Sequence, residues 1–186
     1  MENKSAPFMK SAMNNGMIFG IILILVQLVF WMFNIIPVGF SKGMLMFGFN
    51  LLISVAGLYY FTKNYRDGLL NGFISYGQAF MYGWTVYLIA TVVLIIYNFI
   101  FNQFIDPEYT TRVIQTTAEW TEEFMRSKGV PESQISDAVD KMMSKAHPSV
   151  IKTAVTTLIG GVVAGAIFSA ISSAFAKKAA NPLKEE

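Results

Sequence analysis

The chain has 186 residues, of which 54% are hydrophobic and only 14% are charged, and its formal net charge is +2. Soluble domains carry about a quarter charged residues, so this composition is typical of a membrane protein. The basic residues are scattered along the chain, which argues against a nucleic-acid-binding protein because such proteins concentrate them on one face. The sequence contains no cysteine, which excludes disulfides, thiolate catalysis and cysteine metal sites.

Four stretches carry no charged residue and are long enough to cross a bilayer, namely 11–41, 43–62, 68–105 and 153–176. A hydrocarbon core of about 30 Å needs roughly 20 helical residues. We therefore predict an all-α membrane protein that forms one integral-membrane domain over 1–186. It has four transmembrane helices and an extramembrane helical hairpin between helices 3 and 4.

The first predicted helix runs from about 15 to 36 and ends at Pro37, which lacks the amide hydrogen needed to continue it. It is longer than the roughly 7–15 residues of a signal-peptide core, so we expect it to be retained. The second predicted helix covers 43–62. Its last turn is aromatic, as expected where a helix leaves the membrane.

The third stretch is too long for one crossing, because 38 residues would extend about 57 Å as a helix. We predict a short interfacial or re-entrant helix over 68–77, followed by a crossing over 78–102. Ser75, Tyr76 and Gln78 are candidates for a polar path if the protein is a small oligomeric carrier or channel. The plainer interpretation is an interfacial helix whose glycines ease packing.

The charged insert is predicted to be an amphipathic helical hairpin over 106–147. Its first helix starts at Asp106-Pro107-Glu108, with Asp106 as the capping carboxylate, and a second helix follows Pro131. The apolar faces of the two helices can cover each other, lie on the membrane or dock a protein partner. The candidate partner-docking residues are Trp120, Phe124, Met142 and Met143.

The last predicted helix, 153–176, contains small residues at every fourth position, including Gly161, Gly165 and Ser169. Helices in lipid associate through close backbone contact at such residues. The row indicates helix packing within one chain, or alternatively a homo-oligomer formed through this helix.

Basic residues in short flanking segments predict the orientation. With the N-terminus inside, the inner side holds seven bases and the outer short loop holds only Lys42. We therefore expect a multi-pass protein of the cell inner membrane with both termini cytoplasmic and 106–152 extracytoplasmic. The seven inner bases are Lys4, Lys10, Lys63, Arg66, Lys177, Lys178 and Lys184.

We predict no catalytic residue, no metal site and no cofactor. His147 is the single histidine, the nucleotide-binding and hydrolase motifs are absent, and the polar side chains of the crossings are amides that favour interhelical hydrogen bonds. Segment 106–152 carries eight acids and six bases. These features favour a non-enzymatic interaction or scaffold protein of the cell envelope that acts through its acidic hairpin. The amides are Gln27, Asn34, Asn50, Gln78, Asn98 and Asn102.

Several patterns resemble one family. Segment 72–80 (GFISYGQAF), Ile105-Asp106-Pro107, the acidic helical insert and the small-residue last helix ending in Lys177-Lys178 are similar to the domain-of-unknown-function 4199 family, typical of the Bacteroidota. The resemblance covers about 10–178. It implies a four-helix inner-membrane protein with no assigned activity, and it brings no catalytic residues.

Overall fold

The computed structural model describes residues 5–144 and 149–179, in which it shows six α-helices and no strand. Four of the helices are long and apolar enough to span a membrane, which confirms the predicted all-α, multi-pass class. The other two form the hairpin between the third and fourth spans. The helices are α1 Ser5–Met32, α2 Phe40–Leu69, α3 Tyr76–Ile100 with a π-helical turn Phe101–Ile105, α4 Tyr109–Ser127, α5 Glu132–Met143 and α6 Val150–Ala176.

The third span is the centre of the bundle. It packs along α1 and α6 and touches α2, whereas α1 and α2 barely contact each other. One end of the bundle, the termini end, holds the start of α1 and the end of α6. The opposite end, the hairpin end, carries α4 and α5. Most of the buried core, including Phe19, Leu58, Tyr82 and Val86, lies toward the termini end.

Glycines allow α3 to approach both of its main neighbours closely. A Cβ added at Gly16 would lie 2.6 Å from Ile89 Cβ, and one at Gly165 would lie 2.7 Å from Tyr87 Cδ1. Gly161 has the same relation to Thr91. Such distances are too short for a side chain, so each glycine is a notch that a neighbouring side chain fills.

The first helix differs from its prediction at both ends. It is already helical at Ser5, the first described residue, and Phe8 and Ala12 pack into the core at the termini end. It ends at Met32, five residues before Pro37. Asn34 there has a φ of 50°, and its amide and that of Ile35 donate to the carbonyls of Trp31 and Phe30, which is a Schellman motif.

The predicted helix over 68–77 is wrong. Gly68 and Leu69 instead complete α2, residues 70–75 form a loop, and Tyr76 begins α3. The second helix continues past the charges at its end because Arg66 is buried and its Nη1 donates to the carbonyl of Ala176 at 2.9 Å. The loop is then pinned by a two-way backbone bridge between Ile74 and Lys178.

The half of α2 that lies at the hairpin end of the bundle has few neighbours. Residues 40–50 are almost all exposed, and nothing lies within 4 Å of a Cβ added at Gly48. The packed half of this helix is at the termini end, where Ser54, Leu58 and Thr62 are buried. The second span is therefore held mainly at one end.

Adjacent glycines of α6 provide a matched test of the packing. Gly161→Ala should lower the stability by about 1–3 kcal/mol, because the new methyl group meets Thr91. Gly160→Ala should be neutral or slightly stabilising, because Gly160 has nothing within 4 Å. Thermal unfolding of the purified variants in detergent measures both effects. Equal midpoints for the two variants would contradict the proposed notch.

Candidate functional site at the hairpin end

The two hairpin helices pack against each other, which is one of the three arrangements that their apolar faces allowed. Ala118 and Ile135 are almost fully buried at their contact. The turn between them is a Schellman motif at Gly129, which has a φ of 73°. Arg126 contacts Glu122 at 3.0 Å and Glu132 at 2.6 Å, linking the two helices across the turn. Residues 145–147, including His147, lie outside the described residues.

The hairpin is fastened to the bundle through Asp106. Its carboxylate accepts a hydrogen bond from Trp31 Nε1 at 2.9 Å and binds both terminal nitrogens of Arg112, with Nη1 to Oδ1 at 3.0 Å. Trp31 lies in the last turn of α1, and Arg112 lies in the first turn of α4. We call these three residues the Asp106 clasp, because they join the first span to the hairpin.

Asp106 is not the N-cap residue of α4, although its carboxylate accepts a backbone hydrogen bond from Glu108. The residue before α4 is Glu108, and its side chain makes no capping bond. The carboxylate of Asp106 instead faces stronger donors, a guanidinium and an indole, which satisfy its oxygens. The hydrogen bond from Arg112, together with the one from Trp31, holds the pKa of Asp106 below its usual range, although partial burial acts in the opposite direction.

Aromatic contacts support the clasp. The ring of Phe101 in the π-helical turn meets Trp31 and Tyr109 edge to face, each with centroids 5.5 Å apart. Further along α4, Trp120 lies against Gly39, where an added Cβ would be 3.0 Å from Nε1 of the indole. The hairpin therefore contacts α1, α3 and the α1–α2 connection.

The four predicted docking residues are only partly available. Trp120 stacks on Phe124 with centroids 5.1 Å apart, and their exposed fractions are 36% and 47%. Met143 is 37% exposed, whereas Met142 is half-buried. Trp120 also serves the attachment to Gly39, so Phe124 is the freest large apolar side chain of the four.

The predicted packing residues of α6 lie against α3. Gly161 and Gly165 face Thr91 and Tyr87, and Ser169 Oγ donates to the carbonyl of Phe80 at 2.7 Å. This face of α6 is thus occupied within the chain. The homo-oligomer through the last helix stays a prediction, and a second copy would have to use another face.

The predicted polar path at 75–78 has a different local role. Ser75 and Gln78 form a capping box, in which Gln78 N donates to Ser75 Oγ and Ser75 N donates to Gln78 Oε1. Tyr76 Oη donates to the carbonyl of Ala170 at 3.2 Å. These groups therefore start α3 and fasten it to α6.

The amide residues of the predicted crossings differ in their hydrogen-bond partners. Gln27 Nε2 donates to Asn98 Oδ1 at 3.0 Å, which is the predicted kind of bond between helices. The side chains of Asn50 and Asn102 donate to carbonyls of their own helix, whereas Asn34 acts through its backbone, which ends α1. An amide in a membrane helix thus often satisfies itself locally, which a single sequence does not reveal.

A cavity of about 290 Å³ lies beneath the hairpin, between the end of α3 and the start of α6. Sequence analysis missed it, because its walls come from three separate segments. The only available signal was the density of amides around the end of the third stretch. The polar side chains that line it are Asn98, Asn102, Gln103, Thr110, Thr153 and Thr157.

Comparison with known proteins gives one family. The model of the family described as "Protein of unknown function (DUF4199)" matches residues 14–178. The chain belongs to this family. No curated protein and no solved structure matches it.

The DUF4199 match includes all four spans, apart from the first turns of α1, and the whole hairpin. The Asp106 clasp and the cavity both lie within the matched residues. The family description carries no activity, so these features have to be interpreted from their own chemistry.

The clasp predicts a selective effect of removing one charge. Asp106→Asn should speed hydrogen exchange of the α4 and α5 amides about tenfold, because Arg112 loses its carboxylate partner. The matched change Glu132→Gln should have little effect, since that side chain is 71% exposed and its ion pair is superficial. Equal exchange in the two variants would show that the clasp does not hold the hairpin.

The clasp also predicts a pH dependence. The folded-state pKa of Asp106 is depressed, so its stabilising contribution is complete above the usual carboxyl pKa of about 3.9 and is lost as the pH falls through the depressed value. Nitroxide labels on cysteines introduced at Lys42 and Gln115 report the distance between α2 and α4. We expect a constant distribution from pH 7 to about 4 and a broader one below. The same labels in Asp106→Asn should show no such transition.

Proposed function

We propose that this DUF4199 protein is a non-enzymatic scaffold of the cell envelope. Its four spans anchor the hairpin on the extracytoplasmic side of the inner membrane, where the hairpin docks a protein partner. The observation that carries the proposal is the combination of a hairpin attached to the bundle by specific side chains with exposed aromatic rings. Asp106 and Trp120 fix α4 to the bundle, while Phe124 and Met143 remain open to solvent.

A fixed, partly apolar helix face is a suitable binding surface. Holding α4 in place before binding lowers the conformational entropy that docking would otherwise cost. Aromatic side chains are enriched among the residues that dominate binding energy. The ring of Phe124 stacks on Trp120, and Lys128 Nζ lies 5.6 Å from the centroid of the Phe124 ring. These two contacts orient the ring before any partner binds.

The charge of the hairpin favours a protein partner over the lipid surface. Segment 106–152 holds eight acids and six bases, and three of the acids, Glu119, Glu122 and Glu123, lie in the same two turns as the aromatic pair. Negative charge is repelled by anionic headgroups and attracted by a basic protein surface. The partner we expect therefore has an apolar pocket with a basic rim.

The rival function, a small carrier or channel lined by 68–80, has less support. Its key side chains, Ser75, Tyr76 and Gln78, are engaged in capping α3 and in a bond to α6. None of them lines the cavity beneath the hairpin.

Site-specific photo-crosslinking tests the docking proposal. A photoreactive phenylalanine at position 124 should capture one protein partner in native membranes, whereas the same group at Gln115 should not. Positions 115 and 124 are nine residues apart, which places them on opposite faces of α4 at about 100° per residue. Both native side chains are exposed, so the comparison isolates the face.

The corresponding substitution is Phe124→Ser, with Gln115→Ser as its control. We expect Phe124→Ser to reduce co-purification of the captured partner at least about tenfold, with an unchanged thermal midpoint because Phe124 is exposed. Capture of lipid alone from position 124, or equal capture from both positions, would contradict protein docking.

A further inference from the structure

The cavity beneath the hairpin lies at a defined depth of the membrane. The third span with its π-helical turn has 30 residues, so it is about 45 Å long, close to the full bilayer thickness with headgroups. Its last turn, 101–105, therefore lies in the headgroup region. The cavity runs from Ile95 to Gln103, about 12 Å along the helix axis. It thus connects the edge of the hydrocarbon to the interface.

The lining of the cavity is polar but carries no charge. The residues that line it are amides, hydroxyls and apolar side chains, so an ion held inside would meet no counter-charge. Asn98 Oδ1 accepts from Gln27, which leaves the N–H groups of Asn98 without a partner among the described residues. Asn102 gives one N–H to the carbonyl of Asn98 and accepts from Thr110, which leaves its second N–H. The cavity therefore offers hydrogen-bond donors to neutral acceptors.

One side of the cavity is apolar and continuous with the lipid-facing surface. Phe99 and Val150, which are both 46% exposed, lie on its two helical walls. A hydrocarbon chain leaving the cavity between them would enter the bilayer directly. The π-helical turn contributes Asn102 and Gln103 to the lining, and such turns frequently occur at functional sites.

We propose that this cavity binds the glycerol ester region of one diacyl membrane lipid. The ester carbonyls accept from the free amide N–H groups of Asn98 and Asn102, and one acyl chain leaves between Phe99 and Val150. At about 290 Å³ the cavity is too small for a whole lipid but holds roughly the volume of ten waters. The headgroup then projects toward the hairpin, and no lining residue selects its charge.

Lipid retention by the purified full-length chain tests this site. We expect native mass spectrometry to show one retained dioleoyl phosphatidylcholine molecule. The ether-linked analogue lacks both ester carbonyls, and it should be retained about tenfold less, equivalent to about 1.4 kcal/mol. The assay contains no protein partner, so its result is independent of the docking function.

Two variants locate the lipid. Ala154→Phe fills the cavity and should abolish retention, whereas Val155→Phe adds the same ring to the adjacent, exposed position and should not. If Ala154→Phe fails to fold, Asn102→Leu replaces it: this change removes a donor to the ester carbonyls without filling the space and should reduce retention. Equal retention of the ester and ether lipids, or no retained lipid in the native chain, would overturn the proposal. Unchanged retention in Ala154→Phe with an unchanged thermal midpoint would also overturn it.

Discussion

The close approach of α3 to α1 and α6 is the constraint on which the other features depend. Helices in lipid gain little from hiding apolar surface, so their association rests on short-range contact and interhelical hydrogen bonds. Gly16 and Gly161 provide that contact by leaving room for Ile89 and Thr91. The position of α3 in turn places Phe101 beside Trp31, and with it Asp106. The hairpin and the cavity beneath it follow from the same contact.

The sequence predicted the architecture well because the signals for it are long and periodic. Four charge-free stretches and two amphipathic repeats need no knowledge of neighbours. The ends of α1 and the end of α2 were not predicted, since they depend on distant partners. Arg66 ordinarily indicates that a span has ended. Its guanidinium instead pairs with Asp67 and donates to the carbonyl of Ala176, 110 residues away, so Arg66 remains helical and buried. Asn34 ends α1 by adopting a left-handed backbone conformation, which the neighbouring residues do not predict.

In the candidate site, too, features set by local pattern were predictable, and features set by distant partners were not. The exposed faces of the hairpin were predictable from residues such as Phe124, because helical spacing assigns them to one side. The role of Asp106 was not, because Asp-Pro-Glu is a good local start for a helix. Two donors compete with that capping role, and one of them, Trp31, lies 75 residues earlier. The cavity combines parts of three segments, so no local pattern identifies it.

The weak contact between α1 and α2 has a consequence for assembly during synthesis. These two spans leave the ribosome first, yet their main partners are α3 and α6. The first span cannot form its main contact until α3 has entered the bilayer, and the second cannot do so until α6 has entered. Each must therefore persist as a separately inserted helix, stabilised by its own hydropathy, in the manner of two-stage membrane folding. The bundle is therefore completed only when α6 arrives, because α6 packs on both α2 and α3.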